Sequence, residues 1–286
     1  MELSEHKTNS MEAEMSNRTD QELSSHVAKL AGQLLLELRN SYGDPASWDK
    51  EKATELRKQG DRLSHELIAR ELAEHRPHDA VLSEEGADNA VRLDADRLWI
   101  VDPLDGTWEY GQGRVDFAVH IALWEPKIKK LSACTVDLPA QKLARSMGDV
   151  VTGDPDFPTD RPVRVVASRT RPPVFLGPAL EILGSKMKAA GVNEYGCELI
   201  DVGSVGAKVN ELVSGRAELY VHESGFYEWD VAAPYGVARH YGFIPSHTDG
   251  QEIEFNHMPP WVQNLMVAHP LIVDLARDAL AEAARG

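Results

Sequence analysis

The chain has 286 residues, 42% of them hydrophobic, enough to bury a sizeable core in one large domain or two closely joined halves. Its 46 Asp and Glu against 30 Lys and Arg leave a formal net charge of −16, a field that repels nucleic-acid polymers and anionic membrane surfaces and argues against both as partners. A small phosphorylated ligand would be repelled as well, unless bound cations neutralise its site.

In chain order, residues 1 to about 18 are polar and aperiodic and read as a disordered tail. Thr19 and Glu22 have capping-box spacing, and Leu23, Val27, Leu30, Leu34 and Leu38 recur at helical intervals, so a long amphipathic helix starts here and ends at Gly43 and Pro45. A second helix is predicted from Asp61 to about His75, with Leu63, Leu67, Ile68 and Leu72 on its apolar face. Strands are predicted over 80–83, 98–101, 117–124 and 131–136, giving a first half of α+β character. The Gly- and Pro-rich stretch 148–162 marks the boundary between halves at 19–157 and 158–286. In the second half, strands over 163–167, 198–202 and 217–221 alternate with helices over 180–190, over 204–213 and after Asp230, an α/β pattern. Cys134 and Cys197 are far apart and read as small core residues, not as a disulfide framework or a zinc site. The chain shows neither a signal-peptide pattern nor a membrane-length apolar run, so the expected location is cytoplasmic.

Two acidic clusters stand at predicted strand ends: Glu84-Glu85, and the loop Asp102-Pro103-Leu104-Asp105-Gly106-Thr107. They read either as solvated turns with an Asp helix cap or as a ligand array gathered where layered sheets place their sites. As ligands, the hard oxygen donors Glu84, Asp102 and Asp105, with no His or Cys among them, suit magnesium or manganese better than zinc. Pro103 stiffens the loop, Gly106 permits close backbone approach and Thr107 opens a short helix, so amide N–H groups can face an anion. Asp230, in Glu228-Trp229-Asp230-Val231-Ala232-Ala233, falls at a predicted helix N-terminus, as a cap or as a third acidic ligand.

These three separated elements resemble the motifs of the inositol-monophosphatase superfamily, the lithium-sensitive, magnesium-dependent phosphatases, over residues 20 to 280. The resemblance implies a five-layered αβαβα sandwich with the site between its halves. It implies that Glu84, Asp102, the Leu104 carbonyl, Asp105 and Asp230 hold two or three magnesium ions, with manganese as a substitute. Gly106 and Thr107 would hold the phosphate. Asp61 would partner Thr107 in orienting the nucleophilic water, making Asp61, Thr107 and Glu84 the catalytic set. The segment entering Asp61 is Arg57-Lys58-Gln59-Gly60 here, where many members carry Val-Thr-x-x. The implied chemistry is phosphomonoester hydrolysis by metal-activated water without a covalent intermediate.

Two further segments bear on the substrate. Ser168-Arg169-Thr170-Arg171 follows a predicted strand, and Gly203-Ser204-Val205-Gly206-Ala207-Lys208 links a strand to a helix. Basic groups in such loops can pair with a second phosphate, or be ordinary surface charges. Both segments resemble those of the 3′(2′),5′-bisphosphate nucleotidase branch, with Arg171 standing where that branch has His, and the runs Leu82-Ser83-Glu84-Glu85, Ala118-Val119-His120-Ile121-Ala122-Leu123-Trp124 and Arg171-Pro172-Pro173 resemble its actinobacterial form above all. Arg169, Arg171, Ser204 and Lys208 are then the expected substrate residues, and adenosine 3′,5′-bisphosphate, a by-product of sulfate assimilation, the expected substrate. Inositol monophosphate, histidinol phosphate and fructose 1,6-bisphosphate are the alternatives within the superfamily, and the resemblance is compatible with a homodimer. A non-catalytic metal- or phosphate-binding protein is the rival from another class. The intact ligand set and Thr107 favour the enzyme over it.

Overall fold

A computed structural model of the chain describes residues 18–169 and 172–285. The expected tail, up to residue 17, and the expected substrate residue Arg171 lie outside the described residues.

Helix α1 spans Asp20–Ser41. Its first turn is closed by the anticipated box: the Thr19 hydroxyl accepts the Glu22 N–H at 3.2 Å, and the Glu22 carboxylate accepts the Thr19 N–H at 2.8 Å. Its buried face is Leu23, Val27, Ala28, Ala31, Gly32 and Leu35, rotated from the expected leucine stripe, and Leu30, Leu34 and Leu38 are only half-buried. The small residues on that face let α1 lie close to the sheet beneath. Helix α2 spans Lys50–His75 and is capped by Asp49, whose carboxylate accepts the Lys52 N–H at 2.8 Å. It therefore begins at Lys50 and not at Asp61, and Asp61 is a mid-helix residue. Leu56, Gly60, Ser64, Ile68 and Leu72 face inward, while Leu63 and Leu67 are half-buried.

The rest of the chain runs β1 (Ala80–Ser83), β2 (Leu98–Asp105), α3 (Thr107–Gly111), β3 (Ala118–Glu125), β4 (Lys130–Leu138), β5 (Leu143–Ser146), β6 (Val163–Ser168), α4 (Leu176–Ala189), β7 (Cys197–Val202), α5 (Val205–Val213), β8 (Leu219–His222), β9 (Phe226–Tyr227), α6 (Glu228–His240), β10 (Ile244–Ser246), β11 (Trp261–Val262), β12 (Leu265–Ala268) and α7 (Val273–Ala283). Strands β1 to β5 form one sheet in sequence order, with β1 and β2 parallel and the other pairs antiparallel. A second sheet has the order β10-β12-β8-β6-β7, and β9 pairs with β11.

Alternation along the strands fixes the layering. In β2, Trp99 and Val101 pack with Leu23, Leu35, Leu56 and Ile68 of α1 and α2, whereas Leu98 and Ile100 join Val205, Leu212, Val231 and Val237 of α5 and α6. In β8, Tyr220 faces those same middle helices, whereas Leu219 and Val221 face Leu183 of α4 and Ala276 of α7. The stack is helices, sheet, helices, sheet, helices: the expected αβαβα sandwich. Cys134 is fully buried in the middle layer's core, and Cys197 packs half-buried against the outermost one.

Asp102 to Asp105 are not a loop, as expected from Pro103 and Gly106, but the last residues of β2. Pairing with β3 is interrupted between Asp102, opposite His120, and Asp105, opposite Ala118, and this irregularity accommodates Pro103 inside the strand. Among the described residues, no helix is long and apolar enough to cross a membrane.

Candidate active site

The end of β2, the N-termini of α5 and α6 and the turn after β1 converge on a cavity of about 710 Å³. Glu84, Asp105, Gly106, Thr107, Arg169, Ser204, Lys208 and Asp230 all line it. Asp102 and Leu104 lie buried beneath, and Asp61 approaches from α2.

Asp102, Asp105 and Asp230 each offer an oxygen within 4.8 Å of the others. Two come from the irregular end of β2 and one from the first turn of α6. Asp230 is not the N-cap: Tyr227 is, and the Asp230 carboxylate reaches back to the Tyr227 N–H at 2.8 Å. The electrostatic strain of this arrangement is visible in its titration. Burial, and then the charges of Glu84, Asp105 and Asp230, raise the Asp102 carboxyl well above its usual range. Glu84, at the exposed mouth, is pushed up to about 8 by desolvation and by Asp230, Asp61, Glu85 and Asp105. Asp105 is the exception: burial works against its charge, but the His120 ring, the Gly206 N–H and Lys208 outweigh it and hold its carboxyl low. His120 Nε2 lies 3.1 Å from Asp105 Oδ2, and Gly206 N–H donates to the same oxygen at 2.8 Å. Carboxylates crowded so closely, with oxygen donors only, fit a divalent hard cation.

Gly106, at φ +85°, turns the chain from β2 into α3. The Thr107 hydroxyl that follows stands 3.0 Å from the Leu104 carbonyl oxygen and 3.4 Å from Asp61 Oδ1. Desolvation, followed by the Glu85 charge, lifts Asp61 to about 7. Three elements thus bring Asp61, Thr107 and Leu104 beside the carboxylates.

On the opposite wall, Ser204 caps α5 by accepting the Ala207 N–H at 3.1 Å. Lys208 is buried, and its ammonium turns back to donate to the Gly203 and Ser204 carbonyls. Burial brings it down to about 8 despite the nearby Asp105 and Glu109. Arg169 is held by Glu109 and Asp116, each at 3.2 Å, and Asp116 also accepts the Gly203 N–H at 2.9 Å. Asp116 and Glu109 stand in no sequence motif, and no site role is expected for His120. A histidine within the apolar run Ala118-Val119-His120-Ile121-Ala122 was the available signal for the last.

Fold and site together define a phosphatase of small phosphorylated molecules, and the comparisons agree. The chain belongs to the inositol monophosphatase family, which matches residues 17–281 and is a family of metal-dependent phosphatases. It is 36% identical over 278 residues to a 3′-phosphoadenosine 5′-phosphate phosphatase of Mycobacterium leprae, covering 91% of this chain and 94% of that protein. It is also 36% identical to the phosphatase of the same name from Mycobacterium tuberculosis, over 89% of this chain and 91% of the relative. Among solved structures it resembles CysQ of Bacteroides thetaiotaomicron, a bacterial member of the family, with 26% identity, a TM-score of 0.67 and coverage of 86% of this chain and 96% of that one.

Proposed function

We propose that the protein is a magnesium-dependent 3′(2′),5′-bisphosphate nucleotidase that removes the 3′-phosphate of adenosine 3′,5′-bisphosphate. The observation that carries the metal-dependent chemistry is the convergence of Asp102, Asp105 and Asp230 within 4.8 Å beside the Thr107–Asp61 pair. The two mycobacterial relatives named for this phosphatase support the choice of nucleotide.

Glu84, Asp102, the Leu104 carbonyl, Asp105 and Asp230 are the groups that would hold magnesium, or manganese in its place. Bound there, the ions supply positive charge that offsets the carboxylates and polarises the phosphoryl group. Gly106 and Thr107 on the cavity floor hold the phosphate being cleaved. The Thr107 hydroxyl orients a water for in-line attack on phosphorus, and Asp61, lifted to about 7, accepts the proton that this water sheds. The bond between phosphorus and the ester oxygen breaks, and that oxygen takes a proton from solvent as the alcohol leaves. His120 and the Gly206 N–H keep the Asp105 carboxylate ionised and aimed. Ser204, Lys208, Arg169 and Arg171 serve the rest of the nucleotide. Lys208 and Arg169 do so from positions already braced by carbonyls and carboxylates, which lowers the cost of ordering them.

The test is phosphate release with magnesium from adenosine 3′,5′-bisphosphate, inositol 1-phosphate, histidinol phosphate and fructose 1,6-bisphosphate, with and without EDTA. The nucleotide should have the highest kcat/KM, EDTA should abolish turnover, and Asp105→Asn should lower kcat by about a hundredfold or more while leaving the fold intact. Preference for inositol or histidinol phosphate would overturn the nucleotide assignment, and EDTA-resistant turnover would overturn the metal assignment.

A further inference from the structure

The cavity, at about 710 Å³, is of the size that encloses a whole small molecule and not a phosphate alone. Beyond Asp230 its wall is aromatic. Tyr227 and Trp229 stack at 4.5 Å with their planes 14° apart, and Trp261 stands edge-on to Tyr227 at 5.1 Å and 87°. All three line the cavity, yet Tyr227 is 43% and Trp261 46% exposed. Two large aromatic residues left nearly half exposed beside a polar phosphatase site are an unsatisfied apolar surface, which favours a ligand that covers them.

The Trp261 indole is built into place. Strand β11 pairs with β9, setting Trp261 directly opposite Tyr227. The Glu228 N–H donates to the Pro260 carbonyl at 2.9 Å. The fully buried Glu228 carboxylate accepts the Asn256 and His257 N–H groups at 2.7 and 2.8 Å. The segment ahead of Trp261 is thereby clipped to the helix that carries Asp230. The indole also packs on Gly225, at φ +73°, where a Cβ would run into the ring. A ring held from several sides loses little entropy when a planar ligand settles on it.

We infer that Trp261, braced by Gly225 and Tyr227, is the surface on which the base of a nucleotide leaving group stacks, and that it determines the preference for nucleotides over polyol phosphates. The inference rests on the nucleotidase reading and extends it to a residue that neither the carboxylate motifs nor the two basic loops include. A polyol presents hydroxyls, which gain little from an aromatic face, whereas every nucleobase presents a π-face to it.

The test compares the unmodified protein with Trp261→Ala and Trp261→Phe on adenosine 3′,5′-bisphosphate, glycerol 2-phosphate and 1-naphthyl phosphate, with thermal melts of each variant. The alanine variant should lose about 5- to 150-fold in kcat/KM for the nucleotide, the range expected for one lost base–aromatic stack. The loss should fall mainly on KM, so that the ratio of nucleotide to glycerol 2-phosphate drops with it, and phenylalanine should restore most of that ratio. An equal loss on both substrates would overturn the proposal, because a merely structural tryptophan would act that way. If the wild type has no preference for the nucleotide, the nucleotidase reading fails by itself. Preference for 1-naphthyl over glycerol phosphate that Trp261→Ala removes would then sustain the aromatic platform, and no such preference would overturn it.

Discussion

Asp137, on β4 away from the cavity, has its carboxylate pressed against α1 at Gly32, where a Cβ would collide with Oδ2. It is 6% exposed, and burial lifts it to about 7, opposed only by the charge of Lys29. The unfolded chain releases this proton near pH 3.8 and the folded one near 7, so between those values the folded state binds more protons and stability falls as pH rises. The contribution is fully present below about pH 4 and lost above about 7. Asp137→Asn, which keeps the shape and removes the charge, should raise the melting temperature at pH 8 and change it little at pH 5. Melts of both proteins across that range check this, and equal shifts at the two pH values would exclude it. The contrast with Asp102 and Asp105 is instructive. Their spacing around Pro103 and Gly106 singled them out in the sequence, and the fold does bring them together with Asp230. Asp137 lies in a strand whose pattern gave no sign that its side chain meets a helix. His120 stands out in the sequence only as a polar residue in an apolar run, and its value comes from opposing the β2 irregularity, a contact visible only once β2 and β3 are paired.

At the scale of elements, α5 depends on a close approach. Its second residue, Gly206, lies so near the first sheet that a Cβ would strike the His120 ring, with Val136 at 2.8 Å and Ala118 at 2.9 Å. That proximity is what lets the Gly206 N–H reach Asp105 at 2.8 Å. Gly206→Ala must push α5 away from the sheet. It should cost about 1–3 kcal/mol of stability, the usual range for overpacking, and a larger share of kcat/KM than of stability. Thermal melts and steady-state kinetics on the variant decide it, and wild-type values in both would show that the close approach has no consequence. Elements that bury a continuous apolar run or carry their own caps were legible in advance: α1, β1 and the strand–helix alternation from β6 to α5. The first part of α2, from Lys50 to Gln59, was not, since only Ala53 and Leu56 there are buried and the charged residues between them hide the period. Strands β9 and β11, of two residues each, exist through pairing with each other across the chain, which no local pattern announces.

At the scale of the whole molecule, the carboxylate cluster gathers residues far apart in the chain: Asp102 and Asp105 end a strand of the first sheet, and Asp230 lies in the first turn of the middle-layer helix that follows β9. In a chain of net charge −16, gathering them opposes folding, and the raised Asp102 and Glu84 carboxyls are the local sign of that cost. A divalent ion that binds the folded site and not the unfolded chain reverses the sign of this term. At a concentration about a hundred times its Kd it should add about 2.7 kcal/mol, which for a chain of this size raises the melting temperature by roughly 4–5 °C. Magnesium should therefore raise the melting temperature and EDTA return it, and Asp105→Asn, lacking one ligand charge, should respond less at the same magnesium concentration. A screening effect of salt on the net charge would act on both proteins alike and would be reproduced by sodium chloride at equal ionic strength. Equal shifts with magnesium in the wild type and in Asp105→Asn would mean that the ion acts on the surface charge and not through the cluster of Asp102, Asp105 and Asp230.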